Sequence, residues 1–230
     1  MATLTLGGKT VLTQTGSDEP VLGSNLTGSP ALNLSSSTFP SGMVIKTYQK
    51  VFKGTQSITS TAAGSSVNYS NDVTRWVVIG AGASGSDGDP LNITLDTPNS
   101  SSSKYLVRAD VTYSRKQDGS NFMGWWYRTA GTSDTYVPLV QGKGGIANYW
   151  TQAAFGSSHH STTGGAGNYG VRQGNMEYLW SPGTTTAYQI QIMVFNYTGS
   201  APQINRPYNN DDYNYMGTFI STFTIQELAG

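Results

Sequence analysis

Cysteine is missing from this 230-residue chain, which excludes a disulfide scaffold, a zinc finger and a thiol nucleophile. Charge is nearly as scarce. Asp, Glu, Lys and Arg make up 11% of the residues, against about 25% in an ordinary soluble domain. Thirteen basic and thirteen acidic residues give a formal net charge of +0. Lys and Arg are scattered, so there is neither the basic stripe that nucleic acid requires nor a polybasic membrane patch. Neither nucleic acid nor a membrane is expected as a partner. No apolar run approaches the roughly 20 residues of a membrane helix. The opening MATLTLGGKTVLTQTGSDEP lacks the apolar centre of a signal peptide. Synthesis in a cytosol and a soluble product are the expectation. The Asn-x-Ser/Thr acceptors at Asn25, Asn33, Asn68, Asn92, Asn99 and Asn196 are discounted, because a chain this rich in Asn, Ser and Thr supplies several by chance.

Helical periodicity is also absent, whereas period-two alternation recurs. In Pro90 to Ser114, Leu91, Ile93 and Leu95 alternate with polar residues, as do Tyr105, Val107, Ala109, Val111 and Tyr113 after a Thr-Pro-Asn and serine connection. The pattern predicts a β-hairpin whose arms share one buried face. Met43 to Phe52, Thr74 to Ile79 and Phe122 to Arg128 are predicted strands. Asn175 to Trp180 and Thr186 to Tyr197, joined through Pro182-Gly183, form a second predicted hairpin with Tyr188, Ile190, Ile192 and Val194 inward. Gly217 to Leu228 closes the chain, with Phe219, Phe223 and Ile225 inward. Short strands separated by turns predict an all-β fold, an antiparallel β-sandwich over residues 41–230.

On the other face of the Thr186 to Tyr197 strand, Met193, Phe195 and Tyr197 would meet water in a monomer, so a subunit interface is expected there. Residues 1–40 carry short apolar groups cut by Gly and Pro, among them Leu4, Leu6, Val11, Leu12, Val21 and Leu22. They are too sparse for a core and too frequent for a plain linker. An extended N-terminal arm that anchors by adding to a neighbour's sheet edge is expected.

Candidate chemistry is thin. His159 and His160 are adjacent in a Gly/Ser-rich segment, and neighbours on an extended strand point to opposite faces. Asp87-Gly88-Asp89 and Asp211-Asp212 do not match the EF-hand spacing. GxSxG is absent. No catalytic set, metal or cofactor is assigned. Gln203 to Tyr215 gathers Tyr208, Tyr213 and Tyr215 with Asp211 and Asp212. Aromatic faces beside amides and carboxylates suit a glycan, and these five residues are the candidate glycan-binding set.

The segments FPSGMVIKTYQKVF, LNITLDTPNSSSSKYLVRADVTYSR, MEYLWSPGTTTAYQIQIMVFNYTGSAPQINRP and STFTIQEL together resemble the β-rich domains of phage virion appendage proteins, especially those of cyanophages. The resemblance spans about Phe39 to Leu228 and departs from the pattern between Gln117 and Gly174. It implies a jelly-roll-like fold for the sandwich and a noncatalytic virion structural protein, homotrimeric, forming a tail-fibre head or a capsid decoration and held to other virion proteins by its N-terminal arm. Two alternatives stand beside it: a receptor-binding fibre tip for host surface glycan and a polysaccharide-degrading spike.

Overall fold

The computed structural model describes residues 2–6, 9–14, 21–22, 40–58, 76–81, 89–114, 121–140, 171–196, 201–207 and 219–230. The chain divides into two compact units, Met1–Pro40 and Ser41–Gly230. The first contains β1 (Ala2–Leu6), β2 (Lys9–Gln14) and β3 (Val21–Leu22). β1 and β2 pair antiparallel with Leu4 opposite Leu12, and β2 pairs with β3 with Leu12 opposite Leu22. The six apolar positions assigned to anchoring therefore lie on strands that already pair with one another. Backbone groups that a fully extended arm would offer to a neighbour are partly used within this small sheet.

The second unit contains β4 (Val44–Phe52), β5 (Gln56–Ser57), β6 (Val77–Val78), β7 (Asn92–Thr94), β8 (Lys104–Ser114), β9 (Asn121–Thr129), β10 (Val137–Pro138), β11 (Val171–Trp180), β12 (Tyr188–Asn196), β13 (Gln203–Ile204) and β14 (Ser221–Leu228). The described residues include no helix. One sheet runs β4-β14-β8-β11, with β13 extending the β14 side of β8 and carrying β5. The other runs β10-β9-β12, and β7 and β6 share the far edge of β12. Every pairing is antiparallel. The described residues are all-β, and the two antiparallel sheets of the second unit form a β-sandwich.

The inward residues follow from period two. Val107, Ala109 and Val111 of β8, Phe223 and Ile225 of β14, Trp125 of β9 and Ile190, Ile192 and Val194 of β12 are buried in one core. Each such large aliphatic or aromatic group contributes roughly 1.5–3 kcal/mol on leaving water. Trp180 of one sheet reaches Tyr127 and Tyr188 of the other, with ring centroids 5.1 Å apart in each case. These rings join the sheets at one end of the sandwich. Tyr188 is half-buried against the core, and Phe219, at the approach to β14, is half-buried.

The expected hairpins are corrected. β7 pairs with β12, placing Ile93 opposite Ile190, whereas β8 pairs with β14 and β11. Residues 95–103 therefore arch from one sheet to the other. Leu95 N donates to Tyr188 O at 2.8 Å on the sheet they leave. Asn99 N donates to Glu227 Oε1 at 2.7 Å on the sheet they reach. Likewise β11 pairs with β8 over ten residue pairs and β12 with β9 over nine, so Pro182-Gly183 lies in a crossover. Alternation fixes which face a residue occupies and says nothing about which strand lies beside it.

Two buried polar residues hold the layers in place. Asn205, fully buried with φ 60°, donates from Nδ2 to Phe52 O at 2.7 Å and Gly54 O at 3.0 Å. Its Oδ1 accepts from Ser221 Oγ at 2.7 Å, and its own N–H donates to Thr112 O. Through its side chain and its backbone N–H, this one residue ties β4, β8 and β14 together. Gln56 crosses between the sheets, donating to Val78 O and Ala81 O and accepting from Gly80 N at 2.8 Å. Gly80 has φ +93°, and a Cβ there would lie 2.7 Å from Pro90 Cα.

Candidate functional site

Met193 and Phe195 do not form an exposed patch. They are 4% and 2% exposed within the single chain. Phe195 packs on Trp76 at 5.6 Å between centroids, and Trp76 on Trp126 at 5.1 Å. The expected exposed patch is corrected: Phe195 lies in a second aromatic cluster with Trp76 and Trp126 on the outer face of the β9-β12-β6 sheet, and Met193 is buried on the same face. Trp125 faces the core and Trp126 this outer cluster, because neighbours on β9 point to opposite sides. Tyr197 lies outside the described residues. So does the whole candidate glycan set, Tyr208, Asp211, Asp212, Tyr213 and Tyr215, and so do His159, His160 and Asp87.

The described residues present a different cavity, where the two sheets meet along their edges. Among these residues β4 pairs only with β14, and β7 only with β12. Two ion pairs cross the seam. Lys46 Nζ lies 3.0 Å from Asp96 Oδ2, and Lys50 Nζ lies 3.1 Å from Asp89 Oδ2. Lys46, Tyr48 and Lys50 alternate along β4, so all three point across the seam, while the two aspartates flank β7. Tyr48 OH donates to Asp96 Oδ2 at 3.3 Å. The Lys46 ammonium beside it holds the Asp96 carboxyl below its ordinary value, and the same bond raises Lys46. Burial raises Tyr48.

The resulting cleft has a volume of about 440 Å³ and is lined chiefly by Tyr48, Gln49, Lys50, Asn92, Thr94 and Gln189. Ile93 and Pro90 supply apolar wall. Gln189 is fixed from behind, its Oε1 accepting from Tyr136 OH at 2.6 Å and Arg128 Nε at 2.9 Å. The Arg128 guanidinium lies 4.6 Å over the Tyr136 ring, and burial raises the Tyr136 phenol. Asn92 Oδ1 is buried without a hydrogen-bond partner. Among the described residues no group of three His, Asp or Glu side chains could hold a metal. The chemistry on offer is hydrogen bonding by amides and hydroxyls beside an aromatic ring.

No protein-family model and no curated protein matches this chain. Sequence alone did not find the cleft, because its residues come from β4, β7 and β12 and meet only once the strand order is known. The one signal was faint: Lys46 and Lys50 alternating with Tyr48 on an otherwise neutral chain.

Proposed function

We propose that this chain is a noncatalytic phage virion structural protein, a homotrimer whose Ser41–Gly230 sandwich is the head of a fibre or a capsid decoration. The Met1–Pro40 unit is the attachment to other virion proteins. The observation that carries the reading is the strand order. Within the orders β4-β14-β8-β11 and β7-β12-β9-β10, each successive strand along the chain switches sheet except β10, which stays beside β9; this order supports a jelly-roll wiring of two interlocked Greek keys. That architecture is common in capsid and lectin domains. Fold alone does not fix function. The resemblance of four segments to virion appendage proteins and the neutral, hydroxyl-rich composition supply the remainder.

Three anchoring units in one trimer act together, so weak contacts to the particle multiply. The trimer no longer rests on Met193 and Phe195, which are covered in one chain; it rests on the resemblance. Light scattering on the purified protein tests it, with about three chains per particle expected and a monomer at micromolar concentration contradicting it. Deleting Met1 to Ser36 tests the anchor: the head remains folded and no longer joins particles, and normal occupancy by the truncated chain would place the anchor in the head. The second reading, a receptor-binding tip, gains its support from the seam cleft.

A further inference from the structure

We propose that the cleft between β4 and β7 is a binding site for a neutral saccharide. The inference rests on the cleft itself and does not require the virion assignment. The first argument is charge. Lys46 and Lys50, the cations at the seam, each already face a carboxylate at 3.0 and 3.1 Å. Each cation is thus already neutralised, and an uncharged ligand leaves both pairs in place. The two pairs also bridge β4 to the residues flanking β7 across the cleft.

The second argument is the mixture of unspent hydrogen-bonding groups. Asn92 Oδ1 is a buried acceptor with no partner. The Thr94 hydroxyl and the Gln189 amide nitrogen make no hydrogen bond to the described residues, and both residues line the cleft. A phosphate offers only acceptors to such a site and an ammonium only donors. A sugar hydroxyl donates and accepts, so it can serve Thr94 and Gln189, which stand opposite each other on β7 and β12. The third argument is shape. About 440 Å³ lies within the approximate 300–1,000 Å³ range of small-ligand sites. The half-buried Tyr48 ring and the exposed Pro90 give apolar surface for the C–H faces of a pyranose.

The test uses the full chain. Neutral oligosaccharides are titrated by saturation-transfer NMR and calorimetry, in parallel with sedimentation of the protein on intact polysaccharide. Binding of short oligosaccharides identifies a free-sugar site, and binding of the polymer with competition by the short sugars identifies a surface-glycan site. Either outcome supports the proposal. Thr94→Val removes a hydroxyl from an exposed strand position while keeping its shape, and Asn92→Ala removes the orphan acceptor. The pair together is expected to weaken binding about tenfold, equivalent to roughly 1.4 kcal/mol, with the melting temperature of Thr94→Val unchanged. If Asn92→Ala fails to fold, Thr94→Val alone should still weaken binding about threefold, a modest hydrogen-bond loss. Absence of binding across neutral sugars at millimolar concentration overturns the proposal. So does binding that Thr94→Val leaves intact, or salt-sensitive binding confined to anionic ligands. None of these outcomes touches the trimer or the anchor, which are measured separately.

Discussion

Asn205→Ala is expected to be among the most damaging substitutions that leave the apolar core unchanged. The side chain makes three buried hydrogen bonds, two donated to Phe52 O and Gly54 O and one accepted from Ser221 Oγ. Each contributes about 0.5–1.5 kcal/mol net, and each stranded partner costs more when no water reaches it. Alanine also has no side-chain hydrogen bond to offset a left-handed backbone at φ 60°, which costs a further 1–2 kcal/mol or so. The sum is about 3–5 kcal/mol. For a unit of this size, roughly 2–4 °C of melting temperature accompanies each kcal/mol, so a drop of about 10 °C is expected. Asn205→Gly removes the same bonds and relieves the backbone, so it should be about 1 kcal/mol less damaging than alanine. Urea unfolding of the full chain, followed through its buried tryptophans, measures both. A loss below about 1 kcal/mol for alanine, or a glycine variant worse than alanine, would refute the reasoning.

Trp180→Ala removes the ring that meets Tyr127 and Tyr188 at 5.1 Å and should cost about 3–5 kcal/mol; a change under 1 kcal/mol in the same unfolding assay would show that the rings do not join the sheets. Gly80→Ala places a Cβ 2.7 Å from Pro90 Cα at φ +93°, so expression or melting temperature should fall sharply, and a wild-type melting curve would count against the described turn. The carboxyl of Asp96 is held below its ordinary 3.8 and Lys46 above its ordinary 10.5. Their pairing is therefore intact between those values. It is lost as pH falls through the lowered Asp96 value or rises through the raised Lys46 value. NMR titration of the Asp96 carboxyl should show this, with Lys46→Met moving it back toward 3.8; an unmoved titration means the bond across the seam is not made.

Most of the inward-facing residues were legible in the sequence, because period-two alternation maps directly onto the two faces of a strand. Leu91, Ile93 and Leu95, the odd residues of β8, and Ile190, Ile192 and Val194 are all buried. Strand partners were not legible. Pro98 and Pro182-Gly183 mark a turn whether the chain doubles back within one sheet or crosses to the other, so 90–114 and 175–197 were read as hairpins when both are crossovers. The Met193 and Phe195 face misled for a related reason. Phe195 lies in a second aromatic cluster with Trp76 and Trp126, and sequence does not reveal those neighbours. Asn205 carried only the ordinary signature of a turn asparagine. The cleft was invisible until the order of β4, β7 and β12 placed its residues together. The tyrosine-rich segment from Tyr208 to Tyr215 lies outside the described residues.

The central claim is that the chain is a trimeric appendage on a virion, held by its first forty residues. Electron cryomicroscopy of purified particles, with the chain identified on them by mass spectrometry, tests it most directly. The account predicts three Ser41–Gly230 sandwiches around one axis on the particle, and their loss from particles when Met1 to Ser36 is deleted. A chain absent from the particles and recovered as a soluble protein of the infected cell would contradict it.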